Sequence, residues 1–128
     1  MSYHFGKTID LSFEDAVSRV TEELKKEGFG ILTEIDVQKT LQTKLGVDFR
    51  KYTILGACNP PFAYQALQAE DKVGTMLPCN VIVQEHDGGR VEVSAVDPVA
   101  SMMAIQNPDL AATAGEIRSK LKQVIESL

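Results

Sequence analysis

Between Tyr3 and Ile9 apolar and polar residues alternate, with Tyr3, Phe5 and Ile9 in one phase and His4, Gly6 and Thr8 in the other. A period of two predicts a first strand. Ser12-Phe13-Glu14-Asp15 then has the spacing of a capping box, in which the serine accepts from the backbone of Asp15 while the acid reaches back. Phe13, Ala16, Val17, Val20 and Leu24 follow at helical spacing, and Gly28 supplies a left-handed stop, so a helix is expected over about 13–27. Phe29 to Ile35 is β-branched and apolar enough for a second strand. Asp36 can cap a short helix carrying Val37, Leu41 and Leu45, which Gly46 ends.

The pattern continues with a third strand over 50–58. There Tyr52, Ile54, Gly56 and Cys58 point one way, and Lys51, Thr53, Leu55 and Ala57 the other. Asn59-Pro60-Pro61 reads as a helix start, because asparagine is a good N-cap and proline is tolerated where an N–H has no helical partner. Phe62, Ala63, Ala66 and Leu67 would form the inner face of that helix. Cys79–Glu85 and Arg90–Val96 are expected as the fourth and fifth strands, joined through Asp87-Gly88-Gly89, a hairpin signal. Asn107-Pro108-Asp109 opens a long last helix whose apolar positions Leu110, Ala114, Ile117 and Leu121 hold the 3.6 period. A tight hairpin among interspersed helices argues for an α+β fold: a largely antiparallel five-stranded sheet with its helices mainly on one face.

Composition narrows the class without naming an activity. The chain has 128 residues, 44% hydrophobic and 24% charged, the balance of an ordinary globular domain. A folded monomer of 14.0 kDa would expose roughly 6,700 Å². That is consistent with a single domain over 1–128. Neither disorder nor a collagen-like repeat fits, and no apolar run approaches the length of a membrane span. The net charge of −5 argues against nucleic acid and against anionic membranes. The nearest basic group, Lys39, Lys44, Arg50 and Lys51, is interrupted by Asp48 and reads as solvated surface. The N-terminus from Met1 to Gly6 has neither a cationic start nor an apolar stretch, so a cytoplasmic location is expected.

Catalytic motifs are not assembled in the sequence. The histidines are His4, on a partly polar strand face, and His86, beside the expected hairpin turn. Neither has a nucleophile at a suggestive spacing. A dinucleotide fingerprint after Gly28 and Gly30 fails at Thr33. Glu34 and Asp36 read better as a surface acid and a helix cap than as a catalytic pair.

The cysteines carry more information. Cys58 and Cys79 are separated by twenty residues, too few thiols for a secreted disulfide framework. Cys58 ends the third strand and Cys79 begins the fourth, so antiparallel pairing would bring both to one end of the sheet. Cys58 is in phase with Ile54 and Cys79 with Val81 and Val83, phases that both look core-facing. Buried, inert thiols are the plainest expectation. The sharper one is a small pocket at Cys58, Asn59 and Cys79, where the N-terminus of the Asn-Pro-Pro helix would attract a small anion or lower a thiol pKa. A weaker alternative is a soft-metal site in which Met76, with Met102 or Met103, joins the two sulfurs. No cofactor is expected.

The opposite strand face would show Leu55, Ile82 and Val96, with Leu32, among Thr53, Asn80, Gln84 and Ser94. That is more apolar than a solvated face usually is, and it suggests self-association.

Three stretches also resemble a known family. They are Gly28-Phe29 through Glu34-Ile35-Asp36; Gly56-Ala57-Cys58-Asn59-Pro60 with Ala66-Leu67; and Gly74 with Leu77-Pro78-Cys79-Asn80. Together they are similar to the bacterial and archaeal family catalogued as domain of unknown function 302, over nearly the whole chain. The resemblance implies a sheet-plus-helices fold in the TATA-binding-protein-like class and a homodimer. It implies no reaction, and a fold alone licenses none. Two functions stay open: a non-catalytic ligand-binding or protein-interaction module acting as a homodimer, and a thiol-dependent redox protein or enzyme using Cys58 or Cys79.

Overall fold

The computed structural model describes residues 2–128; Met1, part of the N-terminus read above, lies outside them. Five strands, β1 (His4–Ile9), β2 (Gly30–Asp36), β3 (Tyr52–Cys58), β4 (Cys79–Glu85) and β5 (Val91–Val96), form one sheet in the order β1-β5-β4-β3-β2. Every neighbouring pair is antiparallel. The fold is therefore α+β, as the periodicities predict. Around the sheet lie α1 (Phe13–Lys26), α2 (Val37–Leu45), α3 (Pro60–Ala69), α4 (Pro98–Ser101) and α5 (Pro108–Glu126).

Most of the capping residues read from the sequence act as caps, Asn59 being the exception. Ser12 Oγ accepts from Asp15 N at 3.1 Å at the start of α1. Gly28, at φ +87°, turns the chain out of α1. There the N–H groups of Gly28 and Phe29 return to the carbonyls of Lys25 and Leu24. Asp36 caps α2 through Lys39 N at 2.9 Å, and Gly46 ends that helix at φ +65°. Asn107 does double duty. Its Oδ1 accepts from Asp109 N at the start of α5, while its Nδ2 donates to Ala69 O at 2.7 Å and ties that start to the end of α3.

The sheet presents one face to α1 and α5. Val81 and Val83 of β4 and Val91, Val93 and Ala95 of β5 pack there against Ala16, Val20 and Leu24 of α1 and Ile117, Leu121 and Val124 of α5. Register extends this face into β3, because Leu55 lies opposite Val81 and Ala57 opposite Cys79. Leu55 is 1% exposed and belongs to the core. This reverses the phase expected for β3. Both phases of that strand are apolar, so alternation alone could not choose between them; pairing with β4, whose phases differ clearly, does choose. Ile82 keeps the expected open face, where Ile54 is opposite Ile82 and Ile35 opposite Ile54; Val96, also expected there, is half-buried and packs against the core. Leu32 falls at an irregularity in the β2–β3 register, between Ile31 and Thr33.

Two short elements carry no periodic signal. A 3-10 turn at Val73–Met76 follows α3, and the four-residue α4 follows β5. Asp97 builds the second of these: its carboxylate accepts from Val99 N at 3.0 Å and from Arg118 Nε at 2.9 Å, which anchors α4 to α5. Among the described residues, no helix is long and apolar enough to cross a membrane.

Candidate functional site

A cavity lies where β3 ends and β4 begins, between α3 and the first half of α5. Its volume is about 340 Å³. Ala57, Cys58 and Cys79 form its sheet wall, Phe62, Ala63 and Ala66 its α3 wall, and Leu110 and Ala114 its α5 wall. Phe29, Leu77, Pro78 and Met102 also line it, as does Leu32, which was expected on the opposite strand face; no Asp, Glu, Lys, Arg or His lines it.

Three candidates from the sequence meet at this cavity: Cys58, Asn59 and Cys79. The expected common face does not hold, since the pleat sets Cys58 out of phase with Ala57 and Cys79. Both cysteines still border the cavity, because β3 stops at Cys58 and the chain turns there into α3. The thiols are free. Cys79 is 7% exposed, and its burial, with Cys58 nearby, pushes the thiol up to about 11. At neutral pH its sulfur is a protonated, weakly polar wall atom.

Asn59 does not cap α3. Its Nδ2 donates instead to the carbonyl of Glu27, at 3.1 Å, and so joins the end of α1 to the start of α3. The helix terminus beside it is poor in donors. Pro60 and Pro61 have no N–H, and Ala63 N already bonds Asn59 O at 2.9 Å. Of the first three helical positions only Phe62 has an N–H to offer, and the macrodipole alone is a weak attraction for an anion. Proline, which made this stretch legible as a helix start, removes the groups an anion would need.

The sulfurs considered for a metal separate. Met76 is 40% exposed and is not among the cavity-lining residues, whereas Met102 is buried in its wall and Met103 is exposed. Among the described residues, no three His, Cys, Asp or Glu side chains cluster as metal ligands. Elsewhere His86 pairs with Glu92 at 2.9 Å on the strand hairpin.

The cavity walls hold residues that sequence reasoning passed over, notably Phe29, Leu110 and Ala114. The available signal was the use of alanine at inward positions of α3 and α5, where a filled core would take larger side chains.

Residues 5–128 match the model of a protein family described as domain of unknown function DUF302. The chain belongs to the DUF302 family. Among solved structures, it is similar to the crystal structure of an uncharacterized conserved DUF302 protein from Bacillus stearothermophilus. The two share 29% identity over 98% of each chain, with a TM-score of 0.92. No curated protein matches. DUF302 membership thus accounts for the fold and leaves the role of the cavity open.

Proposed function

We propose that this DUF302 chain is a non-catalytic binding module that takes a small apolar ligand in the cavity beneath α3. The observation that carries this reading is an approximately 340 Å³ space lined mostly by apolar side chains and thiols, with Asn59 and Thr113 as its polar residues and no charged group. An apolar cavity of about 150 Å³ suffices to hold benzene, and ligand sites commonly begin near 300 Å³. The walls are preformed, with Ala66, Cys79, Leu110 and Ala114 all buried. A thiol enzyme is a poorer reading, because Cys79 sits at about 11 and no base lines the cavity.

The test is thermal unfolding with naphthalene. A ligand at ten times its dissociation constant stabilises by about 1.4 kcal/mol. For a chain of this length that raises the midpoint by about 5 °C. Ala63→Leu, which puts a larger side chain into the cavity wall, should abolish the rise while leaving the fold intact. Absence of any rise in the unmodified chain with naphthalene and with its hydroxyl derivative 2-naphthol alike defeats the proposal.

Self-association is a second, separate reading. The chain exposes 7492 Å², about 800 Å² more than a compact monomer of its mass. One partner's share of a standard interface is about that size. The open sheet face, with Ile35, Ile54 and Ile82 side by side, offers an apolar surface for a second copy.

A further inference from the structure

The cavity wall contains one buried polar side chain whose hydrogen bonding is incomplete. Asn59 is 7% exposed, and its Nδ2 is committed to the Glu27 carbonyl. A carbonyl can only accept, so this bond fixes which end of the amide is the NH₂ group. The other end, Oδ1, accepts no hydrogen bond from the start of α3, the one place where an asparagine at this position would ordinarily spend it. Nor is Oδ1 sealed away: the described residues contain no fully enclosed side-chain oxygen or nitrogen lacking a partner. It remains an open acceptor on a residue that borders an otherwise apolar space. Thr113, another polar residue of the wall, already donates its hydroxyl to the Asp109 carbonyl at 3.3 Å.

We infer that the ligand is an uncharged molecule of about two fused rings that carries one N–H or O–H donor and places it on Asn59 Oδ1; this rests on the cavity being a binding site. The size follows from a volume roughly twice that which holds benzene. Neutrality follows from the walls. An anion would leave water for a space lined by no cation, beside a helix start that two prolines leave poor in N–H donors, and would not recover its hydration. The Lys120 ammonium lies 5.9 Å from the Phe62 ring centroid, and no lysine lines the cavity. The donor follows from the asparagine. A ligand without one would desolvate Oδ1 and leave it unmatched, whereas a hydroxyl or an indole-type N–H meets it. The group discriminates by chemistry rather than by volume, since a buried acceptor rejects an isostere that lacks the hydrogen.

The experiment uses the full chain and four probes: naphthalene, 2-naphthol, 2-methoxynaphthalene and 2-naphthoate. The chain has no tryptophan, so probe fluorescence can be read directly. At pH 7, 2-naphthol should bind about three- to tenfold more tightly than 2-methoxynaphthalene, which keeps the oxygen and loses the hydrogen. 2-Naphthoate should bind weakest. Asn59→Ala should lower the 2-naphthol affinity by the same factor and leave that of naphthalene unchanged or higher. If Asn59→Ala does not fold, the comparison of probes on the unmodified chain decides. Equal binding of 2-naphthol and 2-methoxynaphthalene overturns the donor inference and leaves the apolar site standing. Tightest binding by 2-naphthoate overturns neutrality. Failure of all four overturns the binding reading itself.

Discussion

Cys79 gives the sharpest test of whether this protein works through its thiols. Burial holds its proton, moving the thiol from 9.0 to about 11. At pH 8 that leaves about one molecule in a thousand as thiolate, roughly a hundredfold less than a thiol at its ordinary value. The more basic thiolate is a better nucleophile and recovers up to about tenfold. The net expectation is alkylation by iodoacetamide at least about tenfold slower than in the unfolded chain, before steric burial slows it further. Mass spectrometry of digests taken along the reaction reads both cysteines, and half-buried Cys58 should label first. The same burial sets a pH dependence. Between pH 9.0 and about 11 the folded chain holds a proton that the unfolded chain has released. Stability is therefore full below this window and falls as pH rises through it, by about 2–3 kcal/mol in total. Urea unfolding of the unmodified chain and of Cys79→Ala, compared from pH 8 to 11, isolates the contribution from lysines and tyrosines that titrate nearby. A Cys79 that labels as fast in the native chain as in urea, or a stability difference flat across that range, would refute the reasoning and put the thiol-dependent alternative ahead.

Three further outcomes follow from named contacts. Asp97→Ala removes the cap of α4 and the partner of Arg118, and should cost about 2–3 kcal/mol in urea unfolding. Burial raises the Asp97 pKa, but the Arg118 bond and the backbone donors outweigh it and hold the carboxyl below 3.8; its contribution is present above that value and lost as pH falls below it, so Arg118→Ala should make the acid limb of the stability curve shallower. Leu55→Ala should cost about 2–5 kcal/mol and Ile82→Ala distinctly less, since only Leu55 lies in the core; equal losses would reverse the assignment of sheet faces. Sedimentation should show a dimer that Ile82→Asp weakens, and a monomer at high concentration would remove the self-association reading.

What was legible in the sequence was legible because a local rule acted alone. Ser12, Gly28, Asp36 and Gly46 each close or open a helix through their own backbone or side chain, and each boundary is found where that chemistry puts it. The Asp87-Gly88-Gly89 turn likewise joins β4 to β5, with positive φ at both glycines. Three features depended on partners far away in the chain. The face of β3 is decided by Val81 and Cys79 across the sheet, not by its own alternation. The side chain of Asn59 is diverted from capping by the Glu27 carbonyl at the end of another helix. The four-residue α4 has too few positions to show a period and exists through Asp97 and its bond to Arg118. The meeting of Cys58, Asn59 and Cys79 was readable from strand order, but the character of the place was not. The sharper expectation, a small anion or a reactive thiol, leaned on a helix terminus that the two prolines leave with few donors.

The cavity also has a physical origin in the way residue size is distributed along α5. Its second half presents Ile117, Leu121, Val124 and Ile125 to the sheet and α1, where Leu24, Val81 and Val83 fill the space. Its first half presents Leu110 and Ala114 toward α3, whose inward residues include Ala63 and Ala66. The sheet adds Ala57 and the following segment Gly74. Backbones held apart by neighbouring packing, with small side chains facing across the gap, leave a void that the chain does not collapse to fill. Asn107, bonded to the carbonyl of Ala69, and Asn59, bonded to that of Glu27, hold α3 at both ends and keep the gap open. An empty apolar volume lowers stability in rough proportion to its size, and larger side chains at the alanines would recover that loss. Sites that must admit a ligand accept such a penalty, whereas a core under selection for stability alone does not. Filling variants therefore separate the two accounts: if Ala63→Leu stabilises the chain and abolishes probe binding together, the hollow half of the core is the site and not a packing defect.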